Sequence, residues 1–106
     1  MDYNELASVG TEIGRLLVKY GAEIYRAEES MKRLFTAYGV ADSHVFALTT
    51  CINVTVCQSG GTPITRICRI DDRCIDLGKI DRLNDLCRRA CKMHPSLAVS
   101  YTHLTL

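Results

Sequence analysis

Apolar residues recur with helical spacing in the N-terminal part of the chain. From Leu6 they fall at Val9, Ile13, Leu16, Leu17 and Tyr20, separated by three, four, three, one and three positions. At 100° per residue these side chains gather into one arc about 100° wide, which predicts an amphipathic helix with a single buried stripe. Asp2 offers an N-cap, and Glu5 three residues on completes a capping-box pattern. Gly10 and Gly14 lie beside the stripe, where missing side chains let another helix come close at a cost of about 1 kcal/mol each in helix propensity. Gly21 stops the helix and the pattern restarts at once. Ile24, Ala27, Met31, Leu34, Phe35 and Tyr38 each stand 18 residues after a counterpart in the first stripe. The coincidence is read as shared pattern and not as duplication. Two such helices joined by so short a turn fold back on one another, and each needs a further layer to cover it.

The second helix, fenced by Gly21 and Gly39, carries an outer face of Tyr25, Arg26, Glu29, Lys32 and Arg33. Glu28/Lys32 and Glu29/Arg33 are each four apart in the favourable order. Glu28 falls at the edge of the apolar stripe, so it is expected to be half-buried and to need a partner. Arg26 points away from the stripe, so its partner is expected outside the helix pair.

After Gly39 the period changes. His44–Leu48 and Ile52–Cys57 are rich in β-branched and aromatic residues with partial alternation, which predicts two strands or one kinked strand. QSGGTP over Gln58–Pro63 is a turn signal, and Ile64–Ile70 alternates again, so a β-hairpin follows. Thr55, Thr65 and Arg66 are expected to be exposed on it, or to face a partner. Leu77, Ile80, Leu83, Cys87, Ala90 and Cys91 then mark a third amphipathic helix, capped by Asp76 and ended by His94-Pro95. The fold class is therefore α+β: an N-terminal helical hairpin, an antiparallel β-hairpin of two to three strands and a C-terminal amphipathic helix.

The last eight residues, VSYTHLTL from Val99 to Leu106, fit neither period. They are the in-frame translation of a transposase adapter used in sequencing libraries, GTC TCT TAT ACA CAT CTG ACG CTG. Residues 1–98 are therefore expected to be the genuine domain and residues 99–106 an appended tail, with the natural protein continuing past Ala98.

Length and charge narrow the function classes. A chain of 106 residues accommodates one domain. Thirteen basic residues against twelve acidic ones give no reason to invoke nucleic acid. The N-terminus lacks the basic start and apolar run of a secretory signal, so the chain is expected to begin in the cytoplasm. No window reaches the roughly 18–20 apolar residues of a membrane span. Cys51, Cys57, Cys68, Cys74, Cys87 and Cys91 form no CxxC pair, and are read as reduced, mostly buried thiols.

No catalytic constellation stands out. His44 and His94 are the histidine bases of the genuine chain, and neither neighbours a cysteine in a known motif. Cys51/Cys57, Cys68/Cys74 and Cys87/Cys91 lack the spacing of a zinc site, although Cys87 and Cys91 sit one helical turn apart. Gly60-Gly61 occupies a turn and does not open a helix, so it is no phosphate loop. No enzyme activity, cofactor or metal is expected.

The run Gly21-Ala22-Glu23-Ile24-Tyr25-Arg26-Ala27-Glu28, with the helix that ends at Tyr38-Gly39, resembles the start of the N-terminal domain of the threonine/serine exporter family. VFALTT, INVTV, TRICRI and DLGKIDRLNDLCRR follow in the order found in that family, and the resemblance spans Leu6 to Lys92. It implies a soluble domain on the cytoplasmic face of the cell membrane, preceding a bundle of membrane helices that exports threonine and serine. In related two-subunit systems the cargo is succinate. The implied partner is that C-terminal transmembrane bundle, or a separate membrane subunit, and self-association is left open. By itself the fragment is expected to transport nothing. The family motif falls on Gly21, Glu23, Tyr25, Arg26 and Glu28, for which a structural or docking role is expected. A stand-alone module that senses a ligand or thiol oxidation is the alternative.

Overall fold

The computed structural model describes residues 2–93 and has three helices and one sheet: α1 (Tyr3–Lys19), α2 (Ile24–Ala37), β1 (Asp42–Ala47), β2 (Cys51–Cys57), β3 (Ile64–Arg69) and α3 (Leu77–Met93). The expected helix stop at His94-Pro95 and the expected appended tail lie outside the described residues. Asp2 caps α1, its Oδ1 accepting from the N–H groups of Asn4 at 2.9 Å and Glu5 at 3.2 Å. Both helices of the hairpin end in the same way. Gly21 N–H donates to Val18 and Ala22 N–H to Leu17, and Gly39 and Val40 repeat the arrangement on Thr36 and Phe35. These paired bonds satisfy the last carbonyls of each helix, and they need the left-handed backbone of glycine, here φ 100° at Gly21 and 87° at Gly39.

The six expected stripe residues of α1 are all buried. So are Ala7, Gly10, Thr11, Gly14 and Val18, because α1 packs on β2 and β3 as well as on α2 and α3. A polar group at the centre of such a helix needs a partner, and Thr11 finds one by donating its hydroxyl to Ala7 C=O at 2.6 Å. The two glycines make the contact with α2 close. A Cβ on Gly10 would stand 2.4 Å from the Phe35 ring, and one on Gly14 2.3 Å from Met31 Sδ.

The strands form an antiparallel sheet in the order β1-β2-β3, with Val45 opposite Val54 and Ile52 opposite Cys68. β1 and β2 are separate strands. Ala47, Ile52, Val54 and Val56 are buried under the helices, whereas Phe46 and Ile67 on the other face are open to solvent. Thr65 and Arg66 are exposed as expected, and Thr55 is half-buried. Thr55 faces Thr65, hydroxyl to hydroxyl at 2.9 Å, and Arg66 lies opposite Val54.

Two expectations need correction. In α3, Leu77 is exposed and Leu86 is buried: Ile80 is partly buried against the core, and full burial begins at Leu83. Among the thiols, Cys87 is buried, Cys74 is exposed and the other four are intermediate. Cys51 and Cys57 have the opposite parity to Ile52, Val54 and Val56, so strand alternation turns them to the outer face.

Candidate functional site

The turn between α1 and α2 is pinned from the far side by the approach to α3. Cys74 and Asp76 donate their N–H groups to the C=O groups of Lys19 and Tyr20 at 2.8 and 3.1 Å. Asp76 Oδ1 in turn accepts from Lys79 N–H at 3.1 Å and caps α3. The Lys79 ammonium stands 4.7 Å from the centre of the Tyr20 ring, a cation–π contact that ties α3 to the end of α1. Ile75 passes so close to Gly21 that a Cβ there would meet its Cγ1 at 3.4 Å.

These contacts leave an open groove of about 820 Å³ between α2 and α3. Leu17, Ser30, Ile80 and Cys87 are among its lining residues, Arg26, Glu29 and Arg33 join from α2, and Asn84, Arg88 and Lys92 from α3. Cys87 donates its thiol to Ser30 C=O at 3.5 Å. Burial first, then the neighbouring Cys91, pushes the Cys87 thiol up to about 12. A thiol held protonated is a poor nucleophile, and Cys87 is the buried cysteine among the described residues.

Four of the five motif residues line this groove: Gly21, Glu23, Tyr25 and Arg26. Glu23 is the N-cap residue of α2 but makes no side-chain cap. Its carboxylate instead pairs with Arg26 at 3.6 Å, and the Arg26 guanidinium lies 5.6 Å from the centre of the Tyr25 ring. Tyr25, and then Glu23, hold Arg26 charged by raising its pKa above the ordinary arginine value. The partners of Arg26 are therefore its own neighbours on the chain, contrary to the expectation that they lie outside the helix pair. Glu23 stands three residues before Arg26, the spacing at which side chains at a helix entry meet. Further along, Arg33 pairs with Glu29 at 2.6 Å as the spacing predicts.

Glu28 does something different. It is half-buried at the opposite edge of α2, and its Oε2 accepts from Ala47 N–H at 2.9 Å. Ala47 ends β1, an edge strand among the described residues, whose alternate N–H groups find no strand there to receive them. Glu28 thus ties α2 to the sheet and takes no part in the expected pairing with Lys32. The motif divides accordingly: Glu28 acts inward on the fold, and the other four residues surround an accessible groove.

The α3 half of the groove was not foreseen as part of a site. Its signal in the sequence is the polar flank of the α3 stripe, Asn84, Arg88 and Lys92, but periodicity alone cannot say which neighbour that flank faces. The cysteine pairs weighed as metal ligands are not brought together as pairs along the strands. Cys51 and Cys57 stand at opposite ends of β2, and Cys68 and Cys74 belong to β3 and to the connection after it. Among the described residues no helix is long and apolar enough to cross a membrane. The family model described as a threonine/serine exporter (ThrE) matches residues 8–105, a segment that takes in every motif residue and most of α1. No curated protein and no solved structure matches the chain.

Proposed function

Since the chain belongs to the threonine/serine exporter family, we propose that it is the cytosolic domain of a membrane exporter of small amino acids, docked through the α2–α3 groove onto the membrane-embedded part of the transporter. One observation carries this reading. The motif residues Gly21, Glu23, Tyr25 and Arg26 converge on an open groove and are not spent on the core. Tyr25 and Leu77, 54% and 69% exposed, supply apolar surface at that groove, and Arg26, Arg33 and Arg88 supply charge. Such a mixture of aromatic, aliphatic and arginine side chains suits a protein contact.

An exporter needs a path across the bilayer built from elements that satisfy their own backbone hydrogen bonds. The described helices satisfy their own hydrogen bonds but are not long and apolar enough to cross a bilayer, so transport in this reading is performed by the membrane part, and the domain alone carries no cargo. Threonine and serine are the cargo class that the family description supplies.

The reading is tested in a complete exporter bearing this domain. Arg26→Ala is expected to reduce assembly of the domain with the membrane part, and export with it, while the isolated domain keeps its melting profile. Wild-type assembly and export would refute the docking role.

A further inference from the structure

The outer face of the sheet holds a second cluster, independent of the groove. Asp42 and His44 are two apart on β1 and therefore project to the same side. Cys57 on β2 is the register partner of Asp42, so strand pairing sets a thiol directly beside the carboxylate. His44 Nε2 lies 3.1 Å from Asp42 Oδ2, and one donor atom from each of the three residues falls within 4.8 Å of the others. Asp42 and His44 are exposed and Cys57 is half-buried, so an ion can reach all three.

We propose that Asp42, His44 and Cys57 form a binding site for a divalent transition-metal ion of the zinc class. The donor set is the ground for that class. One imidazole nitrogen, one carboxylate oxygen and one sulfur suit zinc or cobalt(II), whereas calcium and magnesium require shells of oxygen. Metal–ligand bonds of about 2.0–2.3 Å bring donors to within roughly 3–4 Å of one another in a tetrahedron, which side-chain rotation on the two paired strands can supply. On coordination the Cys57 thiol gives up its proton to water, and the thiolate with the Asp42 carboxylate balances the two positive charges of the ion. Three protein ligands leave the fourth position to water or to a donor from a partner.

An exposed Asp–His pair alone contributes little to stability and calls for no explanation. The third donor, of a different and softer type and fixed by register opposite the first, makes the cluster a site. It is hidden from spacing rules, because Cys57 is 13 residues from His44 and reaches it only through strand pairing.

The test is a titration of the 106-residue chain, kept reduced, with cobalt(II) and then zinc. The expected result is one ion per chain, with a near-ultraviolet thiolate-to-cobalt band that zinc bleaches. Cys57→Ser is expected to abolish the band, and His44→Ala to weaken binding at least about tenfold, the scale on which even outer-shell changes act. Cys51→Ser, on the same face at the far end of β2, and Cys74→Ser should leave binding intact. All of these positions are at least partly exposed, so far-ultraviolet circular dichroism should show every variant folded. No stoichiometric binding at micromolar metal, or a band that survives Cys57→Ser, overturns the site.

Discussion

α1 and α2 carry the same apolar spacing 18 residues apart and end on the same glycine arrangement, yet ten residues of α1 are buried against four of α2. The stripe they share does not account for this. The second face does. In α1 the flanks of the stripe are Ala7, Gly10, Thr11, Gly14 and Val18, small or apolar residues that admit α2 and the sheet at close range. In α2 the positions 18 residues on are Tyr25, Glu28, Glu29, Lys32 and Thr36, aromatic or polar residues of which all but the half-buried Glu28 are exposed. A periodic stripe therefore shows that a helix is covered once. Whether its flanks are covered as well depends on the size and charge of its other residues, and α2, which meets β1 and α3 as well as α1 but buries fewer residues, keeps surface for a partner.

Substitutions along the two helices can break this contrast. Phe35 is fully buried and fills the space above Gly10, so Phe35→Ala should cost about 3–5 kcal/mol in urea unfolding, a large share of what a small domain has. Glu28→Ala strips Ala47 N–H of its acceptor at a half-buried edge and should cost about 2 kcal/mol, with Glu28→Gln recovering part of it. A loss of less than about 0.5 kcal/mol would mean that water replaces Glu28 there.

The glycines sharpen the comparison at smaller scale. Alanine gains about 1 kcal/mol of helix propensity at either position, against about 1–3 kcal/mol for overpacking. Gly10→Ala presses on the flat Phe35 ring, which cannot bend away, and should destabilise by about 1 kcal/mol net. Gly14→Ala presses on the flexible end of Met31 and should lie closer to neutral. The opposite order in paired denaturation curves would show that the helices separate more easily than their packing implies.

Thiol reactivity probes the groove floor. Cys74 should label within the native state, and Cys87 only after unfolding. The fold favours the protonated form of Cys87, so its contribution to stability is complete below the ordinary thiol value of 9.0 and is lost as pH rises toward about 12. Cys87→Ala should flatten that alkaline limb of the stability curve. An unchanged limb would assign it to other groups.

The elements and their order were legible from period alone, because stripe, glycine stop and alternation are local properties. Glu28 was legible too: a carboxylate at a stripe edge has to find a donor, although nothing local identified Ala47. The pairing of Arg26 with Glu23 was legible in principle, an i, i+3 spacing at the helix entry that lies outside the apolar stripe. The α3 wall of the groove, and the meeting of Asp42, His44 and Cys57, depend on how distant segments pair. The polar flank of α3 shows in the local period, but what it faces does not, and the three-residue cluster has no local signature at all.

The central claim is that the open face of α2 serves a partner and not the fold. The most direct measurement is made in a complete exporter carrying Arg26→Ala, scoring threonine export and retention of the domain by the membrane part, alongside melting of the isolated domain. The expected result is an unchanged melt together with reduced export and reduced retention. Full export with the domain retained would contradict it.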